Sequence, residues 1–507
     1  MKIFDLSKIH RVRYFVLALS LSLTGPKKLC HMSSTTKKLM VISVGGLTGV
    51  LGAWAYSRSD DNEDPKSSKL TTKVNKSDLR LKQVQVIFRH GARTPIHLIP
   101  GVEEVTYDSK KWKKFLPATL YDYEVLSIDG KDTPDSKYET HYRRLGLLKG
   151  GCEFGMLTYL GQEQTYNLGK RLRKSYIGKS PDKLMSEFDP NLVYLRTTNM
   201  NRTKDSLRCV LAGVFGAEQL KEYNSKTGRK VQFFTAIQDE EHLFPNPHTC
   251  PVLRQVNRSA IVEGVDIPEL MDDRLEIEKA LGLKGIEWKN KIHFISARDD
   301  LAAREAHGLE IPKILLPFRD MITDNAVKMF QYSFIGQHEL QNDICSKLSS
   351  GRMIEQFRNA IQDFITDRRP VPLYLYSAHD SSLMALLLAL KLDSKKWPPF
   401  ASDLLFELYQ CVATKKYYVI VRYNGQAVIL PKLVEKYVHC GKEALVPLEH
   451  FMKYLNEEKV MEAKEYKRVC ESNILEIISA EIEKRGEGVV KLEDEEAEEM
   501  TDNPAGM

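Results

Sequence analysis

No Cys-x-x-Cys pair and no metal-ligand spacing occurs anywhere in the sequence. The eight cysteines stand apart at Cys30, Cys152, Cys209, Cys250, Cys345, Cys411, Cys440 and Cys470, which argues against a zinc module or a redox dithiol. Spread thinly over 507 residues, they read as ordinary buried thiols rather than a disulfide framework. Internal repeats and low-complexity tracts are also missing, so solenoid and array architectures drop out. The body lacks excess positive charge as well. Of 74 Lys+Arg and 68 Asp+Glu, residues 1–59 hold nine basic residues and a single acid, Asp5, leaving 65 and 67 for the remainder. A nearly neutral body carries no nucleic-acid footprint.

The basic, acid-poor N-terminus has two apolar stretches. Tyr14 to Leu23 follows Lys2, Lys8, Arg11 and Arg13, and Leu39 to Tyr56 runs 18 residues without a charge. The second is long enough to reach across a bilayer, with Gly45 and Gly49 on a small-residue face. Residues 1–59 therefore read as a targeting and membrane-anchor leader, of mitochondrial type, with a secretory signal as the alternative. If the segment spans, Lys37 and Lys38 mark the matrix or cytosolic side. Residues 60–79 read as a polar linker. From Glu487 eight acids face one lysine, the pattern of a disordered acidic tail.

Between them, Val84–Phe88, Leu192–Leu195 and Leu373–Tyr376 are short apolar strands, each followed by a helical pattern. The helices are expected over 157–176, 201–215 and 383–390. Leu404–Val412 and Tyr417–Tyr423 alternate like antiparallel or edge strands. Residues 250–365 are helical in pattern. An α/β sheet interrupted by a mostly α-helical insertion, roughly 205–365 within a domain over 80–486, accounts for this order.

Three strands end in charge: Arg89/His90, Arg196 and His379/Asp380. Ligands of such sheets bind beyond the carboxyl ends of the strands. In Arg89-His90-Gly91-Ala92-Arg93-Thr94-Pro95, two guanidinium forks flank an imidazole across a glycine, a grouping suited to phosphate. Gly91 allows either close backbone approach or an unusual turn. A histidine among phosphate oxygens can attack phosphorus, and arginines would offset the transition-state charge. A carboxylic acid must protonate the leaving alkoxide, and Asp380 is the candidate. Each residue alone has a plainer reading: a surface histidine, a solvated strand-end arginine, a helix cap at His379-Asp380. His97 reads as structural or as rim, Ala302–His307 (AAREAH) as a solvated helix face or else a pocket wall through His307, and Trp397–Phe400 (WPPF) as packing.

RHGARTP and the later SAHD resemble the two signatures of the histidine acid phosphatases, a branch of the histidine phosphatase superfamily. The resemblance runs over roughly 80–475. It implies a histidine-phosphatase-type α/β core with a helical cap, His90 as nucleophile, Asp380 as proton donor, and Arg89, Arg93, Arg196 and His379 around the phosphate. It implies no metal and no cofactor. LKGGCEFGMLTYLG (148–161), RTTNMNRTKDSLRCVLAGVF and KWPPFASDLLFELYQ are most similar to the branch that acts on lysophosphatidic acid. A small lysophospholipid phosphate is therefore the expected substrate, with a monomeric enzyme, membrane association through the N-terminal segment and no nucleic-acid partner. Arg-Thr-Thr-Asn at 196–199 departs from the Arg-Ser-Thr-Asp of other branches, removing a charge at Asn199. The alternatives are a sugar or glycan phosphatase of the same fold in the secretory pathway, a phosphoglycerate-mutase-type relative, and an inactive phospholipid-binding scaffold.

Overall fold

The computed structural model describes residues 74–486 apart from 131, 132, 134, 262–267, 284–291, 441 and 442. The leader with its apolar stretch Leu39–Tyr56, and the acidic tail from Glu487, lie outside the described residues. Among the described residues no helix is long and apolar enough to cross a membrane.

One mixed sheet organises the chain. Its strands are β1 (Leu79–Arg89), β2 (Tyr123–Ser127), β3 (Val193–Thr197), β4 (Val231–Thr235), β5 (Leu373–Ala378), β6 (Asp403–Cys411), β7 (Tyr417–Tyr423), β8 (Gln426–Val428), β9 (Val438–Cys440) and β10 (Glu443–Pro447). The order is β2-β4-β3-β5-β1-β6-β7-β10-β9, with β8 on β7. The run from β2 to β1 is parallel and the rest antiparallel. β1 and β5 lie side by side at the centre, Phe88 against Ser377 and Arg89 against Ala378. Central parallel strands are covered on both faces, and every residue of β5 is buried.

Alternation along the strands builds two layers. Val84, Val86 and Phe88 pack with Leu373, Leu375 and Leu195 beneath helices α1 (Tyr159–Tyr176) and α2 (Asn201–Phe215). Ile87, Tyr374 and Tyr376 pack on the other face, against a long helix over Glu339–Ile365. The buried glutamines of β1 latch that helix: Gln83 donates to the Ala360 carbonyl and Gln85 to that of Phe357, both at 3.0 Å. β1 thus ends on a support held from both sides.

The helical insertion is shorter than the sequence pattern suggests. α2 and β4 fall inside 205–365, yet both belong to the sheet layers, and the helix Glu339–Ile365 packs on the sheet. The inserted block is the helices Pro251–Ile261 and Pro268–Ala280, α3 (Phe294–Ala306) and α4 (Arg319–Ile335), around a separate core of Phe294, Leu301, Ile322 and Phe330. β4 was hidden because its five residues VQFFT are too few to show a period. The cysteines need a second correction: Cys250 and Cys470 form a disulfide across 220 residues of chain, tying the start of the insertion to the C-terminal helix Ala463–Cys470. Five others, Cys152, Cys209, Cys345, Cys411 and Cys440, are free and buried.

Candidate active site

Beyond the paired ends of β1 and β5 the chain turns inward on both sides. Gly91 crosses the first turn of α1 so closely that a Cβ on either Gly91 or Gly161 would overlap the other segment's backbone. Close approach, rather than a special turn, is therefore why glycine stands there. The Gly91 amide donates to Ser206 Oγ (3.2 Å) on α2 and the Ala92 amide to Gln164 Oε1 (2.8 Å) on α1. With the His90 amide donating to the Ala378 carbonyl of β5 at 3.0 Å, the loop holding His90 is fixed by three elements, α1, α2 and β5.

His90 is almost fully buried, its Nδ1 2.8 Å from the carbonyl oxygen of Gly91. A carbonyl only accepts, so Nδ1 carries the proton and Nε2 keeps its lone pair. Burial, then the charges of Arg202, Arg89 and Arg93, push the His90 pKa well below its ordinary value. The ring is a neutral imidazole, with the His379 ring edge-on at 5.7 Å. His379 is also pushed down by burial and Arg202, and its Nε2 lies 3.0 Å from Thr198 Oγ1.

Asp380 opens helix α5 (Asp380–Ala389). Its carboxylate meets Arg89 at 2.7 Å, the Trp397 indole N–H at 2.9 Å and the Ser381 amide at 3.0 Å. Burial works against the charge, but Arg89, Arg93, Trp397 and Arg298 outweigh it and hold the carboxyl well below the usual carboxylate range. Arg89 itself donates to the Pro398 carbonyl (2.7 Å) and lies 4.0 Å over the Phe400 ring. Burial lowers its pKa to about 10. Arg93 pairs at 2.7 Å with Asp299, which comes from α3 of the insertion and also accepts from the Ile96 amide.

The third arginine is not where the sequence reading put it. Arg196 is buried at the end of β3, but its guanidinium is taken up by Glu241 at 2.7 Å and by the carbonyls of Thr197 and Phe234. Arg202, six residues on at the start of α2, provides the largest charge effect on both His90 and His379. It is 2% exposed, and its Nε and Nη1 have no hydrogen-bond partner among the described residues. The Tyr142 ring lies 5.4 Å from its Cζ. The missed signal was local: RTTNMNR has two arginines, and only the second lies on the helix facing Gly91.

Five of the six sequence candidates, Arg89, His90, Arg93, His379 and Asp380, converge here; Arg196 does not. Arg298, Asp299 and Trp397 were missed because they come from the insertion and from the stretch read as packing. His97 sits beside Asp299 and Arg93, and burial lowers it to about 4. His307 is no solvated face. Buried, it joins the C-terminus of α3 to the cap of α1 through Thr158 Oγ1 (2.8 Å) and the Ala303 carbonyl (2.7 Å). Among the described residues no group of three or more His, Cys, Asp or Glu is arranged to hold a metal ion.

Comparison with known proteins gives the arrangement a lineage. Lysophosphatidic acid phosphatase type 6 of Homo sapiens is 31% identical over 417 residues, covering 80% of this chain and 89% of that protein. Its Mus musculus counterpart is 32% identical over 401 residues, with coverages of 78% and 89%. Among solved structures, Hafnia alvei phytase in complex with tartrate aligns with a TM-score of 0.47 and 13% identity over 76% of this chain and 98% of that one. The family model of the histidine phosphatase superfamily, branch 2, matches residues 80–424, and the chain belongs to that family.

Proposed function

We propose that the protein hydrolyses lysophosphatidic acid to monoacylglycerol and phosphate through a phosphohistidine at His90. The observation that carries this reading is the neutral His90, its Nε2 lone pair left free by the Gly91 carbonyl, standing amid Arg89, Arg93 and Arg202 with Asp380 paired to Arg89. Nε2 attacks phosphorus as the bond to the alcohol oxygen breaks, and the arginines offset charge on the other phosphate oxygens. Water then attacks the phosphohistidine and Asp380 takes its proton. The N–P bond breaks with its electron pair returning to Nε2, and Asp380 passes the proton to the departing phosphate, leaving His90 neutral and Asp380 ionised again.

The proton for the leaving alcohol has a specific source. Since Arg89 keeps Asp380 ionised, the free enzyme does not hold that proton. It arrives on the phosphate monoanion, passes to Asp380, and goes from there to the leaving oxygen. This reading predicts an acidic optimum set by the ionisation of the substrate rather than of Asp380.

The lipid substrate is supported by the two relatives named for it. The Cys250–Cys470 disulfide supports placing the folded body in an oxidising compartment, either the secretory lumen or the mitochondrial intermembrane side. Full-length protein offered lysophosphatidic acid, glycerol phosphate and sugar phosphates, with His90→Ala as control, tests the assignment. Preference for the lysophospholipid is expected; preference for sugar phosphates would favour the glycan alternative.

A further inference from the structure

Arg298 enters the chemistry described above only through its charge on Asp380, yet it stands beside it. It lies on α3 next to Asp299, the partner of Arg93, and its Cζ lies over the Trp397 indole, 4.2 Å from the ring centroid. Phe330 stacks on a face of the same indole at 4.2 Å and 12°, and the indole N–H is committed to Asp380. A guanidinium seated over a doubly anchored ring is held in place with its N–H groups available as a fork. Among the described residues none of them has an acceptor: Nε is buried without a partner, and no carboxylate or carbonyl takes a hydrogen bond from either Nη.

The charged groups around it locate it further. Arg298 is influenced by Arg89, Asp380, Asp299 and Arg93, and the foremost charges on His90 are those of Arg202, Arg89 and Arg93. Trp397, bonded to Asp380 and lying under Arg298, places Arg298 on the Asp380 edge of the cluster. In an in-line displacement that edge faces the departing alcohol. Arg298 is half-buried: its Nε is enclosed while its two outer nitrogens are not, so a ligand oxygen can reach the fork. Burial, and Arg89 beside it, lower the Arg298 pKa to about 9, so it stays charged through the acidic range.

We propose that Arg298, seated on Trp397, forms a leaving-group subsite that takes a hydroxyl or ester carbonyl oxygen of the alcohol close to the bridging phosphoester oxygen. This rests on the phosphatase reading and deepens it: the subsite selects glycerol-type phosphate esters over alkyl or aryl phosphates lacking such an oxygen.

The test compares full-length wild type, Arg298→Met and Arg298→Lys on three substrates. They are a 1-acylglycerol 3-phosphate, a plain alkyl phosphate of equal length, and p-nitrophenyl phosphate. The readout is the ratio of kcat/KM between the first two. Wild type is expected to prefer the acylglycerol phosphate, and Arg298→Met to shrink that ratio about 10- to 100-fold, mainly through KM, as loss of a charged hydrogen bond does. Arg298→Lys, keeping charge without the fork, falls between. An unchanged ratio in Arg298→Met, or equal losses on both substrates with a shifted pH profile, would overturn the subsite while leaving the phosphatase standing. Wild type inactive on all three substrates would overturn both.

Discussion

Arg196 and Arg202 are six residues apart, both buried to 1–2% exposure, and the structure uses them differently. Arg196 sits at a strand end and is closed off by Glu241. Arg202 sits on the next helix, keeps guanidinium nitrogens without partners, and dominates the electrostatics of both histidines. Position at the carboxyl end of a strand is thus insufficient to make an anion ligand. The local carboxylate inventory decides, and at β3 the loop after β4 brings one in.

The largest effect expected from this contrast is catalytic. Arg202→Ala should lower kcat/KM for p-nitrophenyl phosphate about 10²- to 10³-fold, the usual cost of removing one charge-stabilising donor, with thermal stability retained or raised. Steady-state kinetics beside a melting curve checks both halves.

Arg196→Met should act in the opposite sense. It strands Glu241 as a buried charge and should cost about 3–5 kcal/mol of stability while folded molecules keep their turnover. The double change Arg196→Met with Glu241→Leu should restore most of the loss in denaturant titrations. If Arg196→Met abolishes turnover in folded protein, the contrast is wrong.

The smallest effect is on pH. Asp380 is held ionised by its arginines and His90 is held neutral by burial and Arg202, so neither is expected to set the alkaline limb. The fall of kcat/KM on the alkaline side should follow the second ionisation of the substrate phosphate, about pH 6. It should move when a substrate with a different phosphate pKa is used. A limb that stays fixed across substrates would assign it to the enzyme.

The contrast also measures how far the sequence could be read. The end of β1 was legible because one short run carries the strand, the glycine crossing and two of the arginines together. His379-Asp380 was legible for the same reason, at the end of β5. What escaped depends on long-range closure. Glu241 reaches Arg196 across 45 residues, Asp299 reaches Arg93 across more than two hundred, and Trp397 reaches back to Asp380 under Arg298. No local pattern encodes such pairings. The Cys250–Cys470 bond belongs with them, since thinly spread cysteines do not announce which two will meet.

The most direct test of the account is acid-free rapid quenching of full-length protein with phosphate-labelled p-nitrophenyl phosphate, followed by peptide mapping. The account predicts base-stable, acid-labile label on His90, absent in His90→Ala. Label on another residue, or turnover of His90→Ala equal to wild type, would contradict it.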